Sequence, residues 1–142
     1  MRISHIEHLG IAVKSLKDAI PYYERVLGFE CYRTEEVPDQ KVKVAFFRVG
    51  ETKIELLEST DPEGPIAKFI DKRGEGVHHV AFAVPTGVDN ALVEMYNKGI
   101  STIDMRGRKG AEGFTIGFLH PKSTHGVLTE LCERPYTGTI DL

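Results

Sequence analysis

The chain has 142 residues, 41% of them hydrophobic and 27% charged, the size and composition of one globular domain. A net charge of −3 argues against a broad nucleic-acid surface, and the absence of any run of about 18 apolar residues argues against a membrane-spanning helix. The opening MRISHIEHLG shows no leader pattern, so the expected setting is the cytoplasm, where Cys31 and Cys132 stay reduced as small buried hydrophobes.

In chain order, residues 4–13 read as a strand, followed by a helical stretch, SLKDAIPYYERVLG, that closes on Gly28. Ser15 followed by Asp18 marks a helix start, and Pro21 then removes an interior hydrogen bond, which predicts a late start or a kink. Strands follow at 29–36, 42–50 and 52–59, the middle one carried by Val42, Val44, Phe46 and Phe47, with a turn at Gly50. A connector over 61–75 holds a short helix near 66–72. The second half has a strand at 76–84, a helix with Leu92, Met95 and Tyr96 at helical spacing ending at Gly99, and strands at 101–105, 114–120 and 126–133.

The two halves repeat. EHLGIAV (7–13) superposes on HHVAFAV (78–84), with His8 on His79, and KIELLE (53–58) superposes on LTELCE (128–133), with Glu55 on Glu130. Each helix-ending glycine follows its histidine at the same spacing. The expected architecture is α+β: two tandem βαβββ modules, about 4–60 and 76–134, in a single domain over 4–134. Their eight strands form a curved, cup-like mixed sheet with helices on the outer face.

Strand alternation then sorts the side chains. In the first strand Leu9, Ile11 and Val13 share one face, and His8, Gly10 and Ala12 the other. In the fifth, His79 shares its face with Ala81 and Ala83, while His78 goes with Val80, Phe82 and Val84. The bulky faces pack under helices, and the small-residue faces leave the volume a pocket requires. His8 and His79 are therefore expected in the cup, with His78 on the helix-packed face. The same alternation puts Lys53, Glu55 and Leu57 together and leaves Glu58 and Glu133 as solvated strand-edge charges.

Two histidines and two carboxylates, His8, Glu55, His79 and Glu130, converging on one concavity form a ligand set suited to a divalent first-row metal. Unpaired carboxylates in an apolar cup are otherwise costly.

This pattern resembles the vicinal oxygen chelate superfamily across nearly the whole chain. Within it, HLGIAVKSLKDA, GEGVHHVAFAV and FLHPKSTHGVLTELCERP (118–135) resemble the methylmalonyl-CoA epimerases. The resemblance implies an isomerase that interconverts (2R)- and (2S)-methylmalonyl-CoA by α-proton removal through a metal-stabilised enolate. It also implies an acyl-CoA thioester as partner, a homodimer, and one divalent metal per chain on His8, Glu55, His79 and Glu130. Cobalt is foremost, with manganese, nickel or zinc as alternatives. It makes Lys122 and Ser123 neighbours of the acyl-CoA site, while Arg106, Arg108 and Lys109 in RGRKGAEG are candidates for CoA phosphates. That loop is not a P-loop, since no GK[ST] follows.

In one respect the chain departs from the family: where some epimerases carry a glutamate proposed as base, the stretch EEVPDQKVKVAFF offers Val44. Glu55 and Glu130 are then the candidate proton-transfer groups. The rival activities are a lactoylglutathione lyase, an iron extradiol dioxygenase and a non-catalytic small-molecule binding protein; retention of the whole ligand set speaks against the last.

Overall fold

The computed structural model describes residues 1–136. The alternating apolar stretches form β1 (Ile6–Ala12), β2 (Cys31–Val37), β3 (Val42–Val49), β4 (Thr52–Ser59), β5 (Gly76–Ala83), β6 (Arg108–Lys109), β7 (Thr115–Leu119) and β8 (Thr129–Glu133). The helical stretches form α1 (Leu16–Pro21), α2 (Pro65–Arg73) and α3 (Val88–Asn97). All strands join one mixed sheet in the order β2-β3-β4-β1-β5-β8-β7-β6. Within each half the first and last strands pair in parallel, β1 with β4 and β5 with β8, and the halves meet through the antiparallel pair β1–β5.

Alternation places the core as expected. On the outer face of the first half, Val13, Ala45, Phe47 and Leu56 pack under Leu16 of α1. On that of the second, Val84, Leu119 and Leu131 pack under Val88, Leu92 and Met95 of α3. Burying a side chain such as Phe47 or Leu92 contributes about 1.5–3 kcal/mol. Gly117 has no side chain because a Cβ there would meet Leu92 of α3.

The third helix behaves differently. Ile66 of α2, with Phe69 and Ile70, packs against Ala12, Val42, Val44, Phe46 and Leu57, which are the cup-facing positions of their strands. Thus α1 and α3 cover the outer face, whereas α2 lies against the concave side.

Three expectations need correction. The sixth strand does not run over 101–105. Residues 101–103 only brush β7, with Ile103 N–H donating to Phe118 O (2.8 Å) and His120 N–H to Ser101 O (2.8 Å), before the chain leaves. The Asp104 carboxylate ends the pairing by accepting Phe118 N–H (2.9 Å) and Arg108 Nε–H (3.0 Å), a side chain competing with the backbone ladder. Glu58 and Glu133 are not idle edge charges. Glu58 accepts Leu16 N–H (2.8 Å) and Glu133 accepts Val88 N–H (2.9 Å), so each last strand satisfies the first free amide of its own module's helix. At Pro21 the late start does not occur, and the irregularity takes the form of a widened turn. Ser15 Oγ caps Asp18 N–H (3.2 Å), and a single wide turn over Tyr22–Val26, closed by Leu27 N–H to Tyr22 O (3.2 Å), follows the proline.

The caps can be tested directly. Replacing Glu133 by Ala removes the partner of Val88 N–H and should cost about 1 kcal/mol. That corresponds to a melting temperature lower by roughly 3–5 °C in circular-dichroism melts. An unchanged melting temperature would mean that this contact carries no weight in solution.

Candidate metal centre

The floor of the cup lies where β1 and β5 cross. His8 faces Ala81 and His79 faces Gly10 across the antiparallel pair. A Cβ on Gly10 would fall inside the His79 ring, so that position accepts only glycine while the imidazole occupies its place. The two Nε2 atoms point at each other, 3.0 Å apart, in rings set edge to face. Glu130, opposite Ala81 on β8, approaches from one side, with Oε2 at 3.5 Å from His8 Nε2 and Oε1 at 3.5 Å from His79 Nε2. His8, His79 and Glu130 thus offer donor atoms close enough together for one ion. Glu55, next to His8 on β4, lies on the other side of the ring, its Oε2 3.1 Å from His8 Nδ1. All four are almost fully buried.

Electrostatics mark this spot as unfinished without a cation. Burial acts to lower the His8 pKa, but Glu55, Glu130 and Glu7 outweigh it and push the imidazole up to about 9. Burial raises the Glu130 carboxyl to about 7 in spite of His8, and raises Glu55 as well. His79 is driven well below its ordinary value by burial and by the His8 charge. Among the described residues, Glu130 Oε2 is the buried side-chain atom left with no hydrogen-bond partner. An orphaned carboxylate oxygen beside two facing imidazole nitrogens is a donor set that a divalent first-row ion completes.

Several cup residues escaped the sequence reading. Lys53, on the same face as Glu55, has its ammonium buried within 2.8 Å of Glu112, 3.1 Å of Glu7 and 3.8 Å of Glu55, over the Phe114 ring. Burial would lower its pKa, but the Glu112 hydrogen bond and the Glu55 and Glu7 charges raise it, so it stays cationic. Glu112 sits in a short turn with φ of 56°, its carboxylate also accepting Tyr32 O–H and its own N–H bonded to Glu35. A strap from the second half is thereby tied to β2 and β4 of the first. Glu7 accepts from His8 Nδ1 at 2.8 Å.

His78 is the clearest correction. It does not point to the helix-packed outer face: its Nδ1 is 2.9 Å from His79 Nδ1, and its ring meets Phe69 of α2 edge to face at 5.1 Å. The register between β1 and β5 slips by one residue there, a β-bulge that turns both histidines to the same side. Strand alternation holds only where the ladder is regular.

The remaining candidates lie around the rim. Val44 lines the cup beside Glu55 and Glu130, an apolar wall where a carboxylate base would otherwise be. Arg108 lines the cavity with His79 and Phe118, its guanidinium 5.6 Å from the Phe118 ring, while Arg106 and Lys109 are exposed. Ser123 Oγ accepts Ser101 N–H (2.9 Å), and Lys122 is exposed in the same turn, next to Pro121, which lines a groove leading to His79. Cys132 completes a second donor cluster with Glu7 and His8, but its thiol donates to Phe82 O (3.5 Å) and burial drives its pKa up. It belongs to the cup's apolar wall with Ala81, Ile116 and Phe118.

Paired βαβββ modules with a histidine–carboxylate cluster where their first strands cross define a class of metal-cup proteins. Residues 7–118 match the Glyoxalase/Bleomycin resistance protein/Dioxygenase superfamily. An uncharacterised Bacillus subtilis protein is 42% identical over 92% of this chain and 93% of its own length. Human mitochondrial methylmalonyl-CoA epimerase is 34% identical over 91% of this chain and 73% of its own. A Streptomyces coelicolor methylmalonyl-CoA epimerase variant, solved with 2-nitronate-propionyl-CoA, superposes with a TM-score of 0.90 at 36% identity, covering 94% of this chain and 96% of that one. The chain belongs to this superfamily and, within it, to the methylmalonyl-CoA epimerase family.

The protonation pattern carries a testable consequence. In the metal-free protein His8 is protonated at neutral pH and Glu130 partly so, whereas an ion binds only their deprotonated forms. Co2+ binding near pH 7 should therefore release about one proton or more, and affinity should climb as pH rises toward 9. Calorimetry in buffers of different ionisation enthalpy measures the release; binding with no proton release would rule out a protonated His8.

Proposed function

We propose that the chain interconverts (2R)- and (2S)-methylmalonyl-CoA. The observation that carries this is the partnerless carboxylate oxygen of Glu130 beside the facing His8 and His79, on the floor of an apolar cup. Its support from relatives is that the human protein bears this activity in its name and the Streptomyces protein binds a nitronate analogue of the acyl-CoA.

Epimerisation requires a proton to leave the α-carbon from one face and another to return from the opposite face. Glu55 and Glu130 come from the two halves of the repeat and lie on different sides of His8, and we assign the two proton transfers to them. Held as a ligand, Glu130 is deprotonated, the state in which a carboxylate can accept the α-proton. Phe118, Val44 and Leu57 line the cup with apolar surface. His8, His79 and Glu130, with Glu55 as the expected fourth ligand, would hold a divalent ion, cobalt in our proposal, which would supply Lewis-acid stabilisation of the charge developing on the thioester oxygen.

A groove beginning at His78 and His79 runs between α2 and the turn before β8, with Phe69, Val77 and Leu128 as apolar walls and Lys68, Lys72 and Arg73 at its edge. None of these three cations has an ion-pair partner among the described residues. We assign the groove to the pantetheine arm and the cations to the CoA phosphates, with Lys122 and Ser123 beside it. The homodimeric expectation rests on likeness to the family.

Proton NMR of methylmalonyl-CoA in heavy water with the Co2+-loaded protein tests the reaction. The α-proton should exchange, and Glu130→Gln should slow exchange by about 100-fold or more. Absence of exchange, together with turnover of the methylglyoxal–glutathione adduct, would establish the lactoylglutathione lyase instead.

The groove has its own test. Lys68→Glu with Lys72→Glu should raise KM for the CoA thioester about tenfold or more and leave the pantetheine thioester unaffected, because only the former carries phosphates. Equal effects on both substrates would place the phosphates elsewhere.

A further inference from the structure

The two imidazoles at the cup floor owe their orientation to two irregularities in the strand pair that bears them. Between β1 and β5, Ile6 pairs with Phe82 but His8 with Ala81, which leaves Glu7 as an extra residue on β1. At the other end of the pair, Gly10 faces His79 but Ile11 faces Val77, which leaves His78 as an extra residue on β5. The 71-residue offset that relates His8 to His79 also superposes Glu7 on His78, so each module carries its bulge at the same place. On a regular strand neighbouring side chains point to opposite faces and do not meet. Here the bulge turns the preceding side chain onto the same side, and each reaches the imidazole that follows it. Glu7 Oε1 lies 2.8 Å from His8 Nδ1, and His78 Nδ1 lies 2.9 Å from His79 Nδ1. Both contacts engage Nδ1, and both leave Nε2 facing the centre of the cup, the two atoms 3.0 Å apart.

We propose that Glu7 and His78 are the positioning residues of this centre, each bulge supplying a fixed acceptor for the Nδ1–H of the histidine that follows and so presenting its Nε2 lone pair to the ion. The proposal rests on reading His8 and His79 as metal ligands. An imidazole has one N–H when neutral, so an acceptor at Nδ1 selects the tautomer whose Nε2 is free to coordinate. For the histidine pair this assigns the hydrogens: His79 donates from Nδ1, and His78 accepts at Nδ1 while carrying its own proton on Nε2.

The two supports differ in chemistry although the repeat superposes them. Glu7 is a carboxylate, held in turn by the Lys53 ammonium at 3.1 Å. Its grip on His8 is therefore tied to Glu112 on the strap, which holds the same ammonium at 2.8 Å. His78 is a neutral ring braced by Phe69 of α2 at the mouth of the groove. The His8 side is fixed by charge and the His79 side by packing.

Paired isosteres separate positioning from packing. Co2+ affinity is measured by competition with a chelating dye, together with the visible absorption spectrum of the Co2+ protein. Glu7→Gln and His78→Asn keep an acceptor oxygen near its present place and should hold Co2+ within about threefold of the unmodified chain. Glu7→Met and His78→Leu remove the acceptor that each bulge supplies, leaving His8 Nδ1 only the Glu55 oxygen at 3.1 Å, and should weaken it about 10–100-fold and alter the spectrum. Equal affinities and spectra across each pair would overturn the positioning roles while leaving the metal centre standing. An unmodified chain that takes up no Co2+ would overturn both. Circular-dichroism melts of the metal-free variants keep loss of fold distinct from loss of binding.

Discussion

The pairing of β1 with β5 is the constraint on which the rest depends. It is the seam between the two modules, and the residues facing across it are the ones that matter to the site. The close approach of Gly10 to His79 leaves no room for a side chain, and Ala81 opposite His8 is the next smallest choice. Small residues on one strand thus create the volume that imidazoles on the other fill. Because β4 and β8 flank this pair in parallel, their carboxylates arrive from its two sides, Glu55 beside His8 and Glu130 opposite Ala81. Between its two bulges the seam runs in register, and a slip of one residue in that stretch would send these ligands to the outer face.

Such a floor has an electrostatic cost. Glu7, Glu55, Glu112 and Glu130 converge, with His8 and Lys53 as the cations set against them. A buried carboxylate is tolerated only when paired, and removing one partner of a buried pair typically costs about 3–5 kcal/mol. Burial raises the Glu55 carboxyl, and Lys53, which serves Glu7 and Glu112 directly and reaches Glu55 only at 3.8 Å, does not bring it back down. Glu130 has no such cation and keeps an unpartnered oxygen. The imbalance is thus concentrated on the residue that also faces both imidazoles, where a divalent ion would do most to relieve it.

Much of this was legible in the sequence because a repeat and a period of two are strong signals. Superposing His8 on His79 and Glu55 on Glu130 was enough to bring those residues to one concavity, and the bulky positions Val13, Leu56 and Val84 went under helices as their alternation required. What was lost shares a cause: local geometry that departs from the period. His78 was assigned to the wrong face because alternation is blind to a bulge, although the same superposition set Glu7 against His78 and so held the clue. The strand expected over 101–105 failed because the Asp104 carboxylate takes over a backbone partner, which hydrophobic pattern does not record. Glu58 and Glu133 were dismissed as edge charges because their partners are amides at the starts of distant helices, invisible until the fold brings them together.

The divergence between the halves is as informative as their likeness. Repetition preserves the ligand types, yet the surroundings of equivalent residues have separated: Lys53 in the first half stands where the second half has Leu128, and Glu7 where it has His78. One half therefore surrounds its histidine with charge and is sealed by the Glu112 strap, and the other surrounds its histidine with rings and opens to the groove along α2. A ligand approaching along that groove meets His79 first and the charged wall last. Val44 is apolar, so on the proposed reading the proton transfers fall to the floor carboxylates Glu55 and Glu130, one from each module. Repetition of the module thereby supplies two acid–base groups for a stereocentre approached from two faces.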